Sequence, residues 1–203
     1  MSGHLWLVVG PSGAGKDTVL AGLAARLTPQ DGVMIARRII TRPCQPGGAE
    51  QHLSVTPEAF ARLEAAEAFA LSWVSHGLQY GIGAEVRSWL AAGLSVLANG
   101  SRAALPQARA AFGPALRVVE ITAPTEVLAA RLAARGRESA GDIDARLART
   151  AELPRDTPDL VIQNDTAPEA AIARLHTALT TAPAPTAKKD RVSSVTLTRE
   201  APL

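Results

Sequence analysis

A glycine run closing on a lysine, Gly10-Pro11-Ser12-Gly13-Ala14-Gly15-Lys16-Asp17-Thr18, stands between the apolar stretch Leu5–Val9 and the apolar-periodic segment from Val19 to Leu27. Strand, glycine loop and helix in that order form the context a phosphate cradle requires, and they point to an α/β fold. The glycines let successive backbone N–H groups turn inward on an anion, and the helix start adds the positive end of a dipole. Lys16 adds a point charge suited to the β- and γ-phosphates of a nucleotide. The hydroxyl residue that usually follows the lysine is replaced here by Asp17, with Thr18 one step later. A carboxylate beside a polyphosphate calls for a cation between them, so Asp17 is expected to hold Mg2+ directly or through water.

The rest of the chain repeats the alternation. Apolar, β-rich runs at Leu5–Val9, Val33–Ile40, Leu94–Ala98, Arg117–Ile121 and Asp159–Ile162 are separated by helical patterns near 17–27, 57–67, 84–92, 105–112, 124–135, 141–153 and 168–180. Several of these helices open on proline behind a polar or small residue, as at Thr56-Pro57 and Ala123-Pro124. The expectation is a five-stranded parallel sheet with helices on both faces and ligand outside the carboxyl ends of the strands. Residues 1–181 read as one kinase-sized domain. Residues 182–203, opening Ala-Pro-Ala-Pro-Thr-Ala-Lys-Lys-Asp, read as a disordered tail with room for a small edge strand around Ser193–Leu197.

Composition narrows the class. The chain has 203 residues, 47% of them hydrophobic, enough for one real core. Cys44 is alone, which excludes a disulfide framework and fits a reducing cytoplasm. The N-terminal apolar run stops at Pro11 with no basic segment before it, so neither a signal peptide nor a membrane span is expected. A net charge of +2 does not point to nucleic acid. Before residue 182, Lys16 is the only lysine and every other permanent cation is arginine. Genomic base composition explains that skew as readily as function does. Arginine is nevertheless the side chain suited to bidentate phosphate recognition, so the position of each arginine matters.

Three arginines, Arg37, Arg38 and Arg42, crowd the end of the second apolar run in Arg37-Arg38-Ile39-Ile40-Thr41-Arg42-Pro43. Glu50-Gln51-His52-Leu53, Leu71-Ser72-Trp73 and Tyr80-Gly81 follow. After a phosphate loop, this order resembles the guanylate-kinase-like members of the nucleoside monophosphate kinases. The resemblance implies that Thr41-Arg42-Pro43 and Tyr80-Gly81 bind the acceptor phosphate. Three departures stand out. Gln51 occupies the place of a base-stacking aromatic, and Ser72 the place of the glutamate that accepts hydrogen bonds from guanine. Arg38 stands where a small hydroxyl residue is usual. A pocket without that carboxylate leaves guanine's donors unpaired, which is costly in a buried site.

The run Asn99-Gly100-Ser101-Arg102, taken with Leu71-Ser72-Trp73 and Gly15-Lys16-Asp17, resembles the branch of that family whose acceptor is ribose 1,5-bisphosphate. The likeness extends from about Leu5 to Leu179 and implies transfer of the γ-phosphoryl of ATP onto the 1-phosphate. The product would be 5-phosphoribosyl 1-diphosphate, serving phosphonate breakdown or nucleotide-cofactor (NAD) synthesis. It implies ATP and Mg2+ as the cofactors and a phosphorylated sugar as the small-molecule partner, with no nucleic acid or membrane, and it leaves the oligomeric state open. By the same likeness Arg38, Arg42, Ser72, Tyr80, Asn99, Ser101 and Arg102 bind the acceptor. Arg135 and Arg146 correspond to arginines of a lid that closes over the γ-phosphate. Asn164, in Gln163-Asn164-Asp165, is either a residue near adenine or part of an ordinary Asx turn. Trp73 reads as core, His52 as ligand or packed histidine, and the exposed helix face explains Gln107 and Arg109 equally well. Two other classes remain: a nucleoside monophosphate kinase with an altered pocket, and a non-catalytic interaction module. Gln51 and Ser72 argue against the first, and Lys16 with the lid arginines against the second.

Overall fold

In the computed structural model the described residues are 3–43, 52–134 and 157–181. The elements are β1 (Leu5–Val9), α1 (Lys16–Ala24), β2 (Val33–Ala36), β3 (Arg38–Ile40), β4 (Leu53–Ser54), α2 (Pro57–Ala65), β5 (Phe69–Ser75), β6 (Leu78–Gly83), α3 (Glu85–Ala91), β7 (Ser95–Asn99), α4 (Leu105–Phe112), β8 (Leu116–Thr122), α5 (Thr125–Ala134), β9 (Leu160–Gln163) and α6 (Pro168–Thr181). The lid arginines Arg135 and Arg146, the helix expected at 141–153, Cys44, Gln51 and the segment 182–203 lie outside the described residues.

The main sheet is five-stranded in the order β2-β7-β1-β8-β9, and every pairing in it is parallel. Strand β1 is central and all five of its residues are buried. Its side chains alternate between two cores. Leu5, Leu7 and Val9 join one, with Val96, Ala98 and Val118. Trp6 and Val8 join the other, with Leu97, Val119, Ile121 and the inner faces of α1 and α6 through Val19, Leu23, Ile172 and Leu175. Period-two alternation with both faces apolar is what a sheet covered on both sides demands.

One expectation is corrected. The run Val33–Ile40 is not a single strand. Strand β2 ends at Ala36, Arg37 is exposed, and the chain leaves the main sheet to start β3 at Arg38. Strand β3 belongs to a second sheet in the order β4-β3-β6-β5, where it pairs antiparallel with β6, and β6 pairs antiparallel with β5. Its inner face extends the first core through Leu71, Trp73, Tyr80 and Ile82. Sequence reading missed this sheet as such. Its β5–β6 hairpin turns at His76-Gly77, where His76 takes a φ of 52° and Gly77 a φ of 72°. No described helix is long and apolar enough to cross a membrane.

Candidate active site

The loop between β1 and α1 is shaped by two glycines with no substitute. Gly10 sits at φ 146°, and a Cβ there would run into the carbonyl of Ile121 on β8. Gly15, at φ 81°, forms the N-cap of α1, and a Cβ would lie 2.5 Å from Nδ2 of Asn164. Only glycine combines a left-handed backbone with so close a neighbour. Lys16 opens α1, and its Nζ folds back over the loop to donate to the carbonyls of Gly10 at 2.8 Å and Pro11 at 2.9 Å. An ammonium held across the mouth of a ring of inward-turned amides is positioned to meet phosphate oxygens.

Parallel pairing brings the second group of residues alongside. Val8 is paired with Asn99, so the chain leaving β7 emerges beside the glycine loop. Asn99 is buried, and its Nδ2 donates to Oδ1 of Asp17 at 2.8 Å. Arg102 pairs with Glu120 of β8 at 2.8 Å. The third contribution comes from the small sheet. Arg38 lies with its guanidinium carbon 5.4 Å from the centroid of the Tyr80 ring, close enough for a cation–π contact. Tyr80 in turn stacks on Trp73, with ring centroids 5.4 Å apart and planes 6° from parallel.

These residues enclose one cleft of about 330 Å3, lined by the loop from Gly10 to Asp17 (Ala14 excepted), Arg38, Trp73, Ser75, His76, Tyr80 and residues 99–103. Three buried polar atoms of its lining residues have no hydrogen-bond partner among the described residues: Asn99 Oδ1, Ser101 Oγ and Trp73 Nε1. Buried polar atoms are nearly always satisfied, so such a concentration at one cleft marks a place for polar ligand. The same observation tests the cation. The Asp17 carboxylate and the partnerless Asn99 Oδ1 are hard oxygen donors of the kind Mg2+ takes alongside phosphate oxygens, so the residues fit it.

The cleft unites Gly10, Pro11, Ser12, Gly13, Gly15, Lys16, Asp17, Arg38, Tyr80, Asn99, Ser101 and Arg102 of the sequence-predicted site. Others fall elsewhere. Ser72 is not in it. Pairing of Trp73 with Tyr80 and of Ser72 with Gly81 puts Ser72 on the opposite face of β5, where its hydroxyl donates to Glu64 Oε1 at 2.8 Å. The cleft-side face of β5 carries Leu71, Trp73 and Ser75 instead, because side chains alternate along a strand. Arg42 is exposed beyond the end of β3 and does not line the cleft; its carbonyl accepts from Nε2 of the buried His52 at 3.0 Å. Thr18 is exposed on the first turn of α1 and also does not line the cleft. Asn164 lies under the loop: its Nδ2 donates to the carbonyl of Ala14 at 2.7 Å, and its own carbonyl accepts from Arg131 Nη1 at 2.7 Å. The side chain is therefore a brace of the glycine loop. Gly100 and Ala103 line it too without a ligand role in the sequence reading, as do Trp73, Ser75 and His76 of the β5–β6 hairpin. On β5, sequence reading favours Ser72 over its neighbours Trp73 and Ser75. The alternation of β5 would have found both, had the hairpin register been legible.

A glycine cradle at the carboxyl end of a central parallel strand, facing a cationic and aromatic wall, defines a P-loop kinase of α/β type. The sequence profile of a family described as "AAA domain" matches residues 5–156. The crystal structure of guanylate kinase from Anaplasma phagocytophilum superposes with a TM-score of 0.67 at 19% identity, over 88% of this chain and 85% of that one, so the fold is shared. The chain is 48% identical over 175 residues to the ribose 1,5-bisphosphate phosphokinase PhnN of Achromobacter xylosoxidans (85% of this chain, 90% of that protein). With the protein of the same name from Chromobacterium violaceum, identity is 49% (81% of this chain, 86% of that protein). A longer namesake from Laribacter hongkongensis is 54% identical over 81% of this chain, which spans only 39% of that relative. The chain belongs to the ribose 1,5-bisphosphate phosphokinase family.

Proposed function

We propose that this protein transfers the γ-phosphoryl group of ATP to the 1-phosphate of ribose 1,5-bisphosphate, giving ADP and 5-phosphoribosyl 1-diphosphate. The observation that carries the proposal is the convergence of Lys16, Arg38 and Tyr80 on a single cleft that has no base-reading carboxylate on its β5 face. Family membership narrows the acceptor to the substrate named for its relatives.

The acceptor oxygen is already an anion at neutral pH, so the reaction needs no general base. That oxygen forms a bond to the γ-phosphorus while the bond to the bridging oxygen of ADP breaks. Positioning and charge neutralisation supply the catalysis. The loop amides and Lys16 hold the donor phosphates. Arg38 and the Tyr80 hydroxyl hold the acceptor phosphate, with Ser101 Oγ and Arg102 nearby. Asp17 and Asn99 Oδ1 would hold Mg2+, which would offset the negative charge of the donor phosphates. Arg135 and Arg146 are assigned to a lid over the transferring group, and Arg42 to the acceptor phosphate from outside the cleft. Asn164 supports the loop that carries the donor. Residues 1–181 make up the kinase domain. The enzyme is assigned to the cytoplasm, where ATP is abundant, and its product to routes that consume an activated pentose, among them NAD synthesis.

The test is ADP release from purified protein with ATP and Mg2+, in the presence of ribose 1,5-bisphosphate or of each common nucleoside monophosphate. Release with the sugar bisphosphate alone is expected. Release only with a nucleotide acceptor overturns the assignment.

A further inference from the structure

Trp73 is one of the described tryptophans, and its surroundings differ from those of the others. Trp6 is buried among α1, α6 and the main sheet, and Trp89 packs from the edge of the first core. Trp73 is 8% exposed and lines the cleft; its indole N–H, like that of Trp6, has no partner among the described residues, but only that of Trp73 belongs to a cleft-lining residue. Its ring lies nearly parallel to Tyr80, the residue whose hydroxyl is assigned to the acceptor phosphate. Leu71 and Ile82, on the same face, are buried behind the pair. Ser75 adds a hydroxyl near the hairpin turn, and this face of β5 and β6 offers a ligand neither an amide nor a carboxylate side chain. Ser72 and Gln79 face the other way.

We infer that Trp73 is the specificity-determining residue of the acceptor site: its indole occupies the room a nucleobase would need beside the acceptor phosphate. The cleft volume of about 330 Å3 is at the small end of the ~300–1,000 Å3 usual for ligand sites, and it must also take the phosphates in transfer. A five-carbon sugar with two phosphates is compact enough for what remains. A purine set beside the acceptor phosphate would have to displace the Trp73 ring, and against Trp73 and Tyr80 its donors and acceptors would face ring and hydrocarbon. Exclusion here is steric and polar at once, a penalty built against the wrong acceptor. The unpaired indole N–H is available to an acceptor oxygen. This inference rests on the acceptor reading given above.

The experiment uses the full-length parent, Trp73→Leu and Trp73→Phe. Calorimetric titration with guanosine and adenosine monophosphates, in the presence of a non-hydrolysable ATP analogue and Mg2+, should show at least one binding about tenfold or more tighter to Trp73→Leu. Trp73→Phe should reject them as the parent does. Unchanged nucleotide affinity in folded Trp73→Leu overturns the inference, and this arm is independent of whether ribose 1,5-bisphosphate is a substrate. A structural role alone would weaken all acceptors together and leave their ratio unmoved. Should Trp73→Leu fail to fold, tryptophan emission decides. Ribose 1,5-bisphosphate should change the emission of the parent and not that of Trp73→Phe. The same change in both proteins overturns the inference. Failure of the parent to bind the sugar bisphosphate refutes the functional reading instead, and the nucleotide titrations of the phenylalanine variant then decide for Trp73: unaltered rejection supports a space-filling ring.

Discussion

Asn99 donates from Nδ2 to Oδ1 of Asp17 at 2.8 Å, linking the end of β7 to the first turn of α1 across the mouth of the glycine loop. The bond fixes the orientation of the Asp17 carboxylate and leaves Asn99 Oδ1 without a described partner. A carboxylate oriented in this way is ready for a cation without the entropy loss of ordering it at binding.

The first prediction concerns this pair. Asn99→Leu keeps the size of the side chain and removes both its donor and its acceptor. Activity should then require roughly tenfold or more Mg2+ for half-saturation, because the change removes one proposed oxygen donor together with the bond that orients the Asp17 carboxylate. The measurement is a Mg2+ titration of initial rate at fixed ATP. An unaltered Mg2+ requirement would contradict the role given to Asn99.

Lys16 donates to the loop carbonyls of Gly10 and Pro11 rather than to the core. Its removal should therefore leave the fold intact and act on the transition state. Lys16→Ala should lower kcat by about 10²–10³-fold, the usual loss on removing a preorganised donor to developing charge. Circular dichroism and thermal melting should match the parent. A variant retaining a tenth of parental kcat would count against the assignment.

Arg38 lines the cleft, and Arg42 does not. The two should therefore separate kinetically, although the sequence pattern groups them. Arg38→Ala should raise KM for the acceptor by about 10- to 100-fold, since a hydrogen bond to a charged group contributes roughly 1.5–3 kcal/mol. Arg42→Ala should have the smaller effect, and it should still be a weakening. Steady-state kinetics with acceptor varied at saturating ATP distinguishes them. A larger loss at Arg42 would place the acceptor phosphate outside the cleft.

Much of this was legible in the chain, and the failures share one cause. The β1–α1 loop and the parallel strands announce themselves, because glycine spacing and apolar runs are local signals. The boundary at Arg37 carries no such mark. Val33–Ile40 reads as one β-rich run, and the change of sheet is set by tertiary pairing with β6. The exchange of Ser72 for Trp73 at the cleft is a one-residue matter of register, and a slip of one flips every side chain to the other face. Asn164 was equally open to a turn and to a ligand role in the sequence. Its bond to Ala14, 150 residues away, decides where its amide goes.

That bond supports a further prediction. Asn164→Leu would leave the buried carbonyl of Ala14 without its donor, at a cost of about 1–3 kcal/mol. The melting temperature should fall by several degrees, and the KM for ATP should rise more than that for the acceptor. Differential scanning calorimetry with paired KM measurements checks both. Equal changes in the two KM values would argue against a brace of the donor loop.

At the opposite end of β1, His4 is 2% exposed, and burial, assisted by the nearby positive charge of Arg117, lowers its pKa against an opposing influence from Asp159. The unfolded chain therefore binds a proton at this histidine more readily than the folded one, so stability rises with pH. The contribution is complete above the ordinary histidine pKa of 6.5 and is lost as pH falls from there through the lower folded value. Denaturant melts of the parent and His4→Gln from pH 7.5 to pH 5 should show the steeper acid loss in the parent. Parallel curves would contradict it.

The most direct test of the account follows the phosphoryl group itself. ATP labelled with 32P at the γ-position is incubated with the protein, Mg2+, ribose 1,5-bisphosphate and an equal mixture of nucleoside monophosphates, and the labelled products are separated. Label is expected in the diphosphate at carbon 1 of the ribose, and none there with Lys16→Ala. Label appearing only in a nucleoside diphosphate would contradict it.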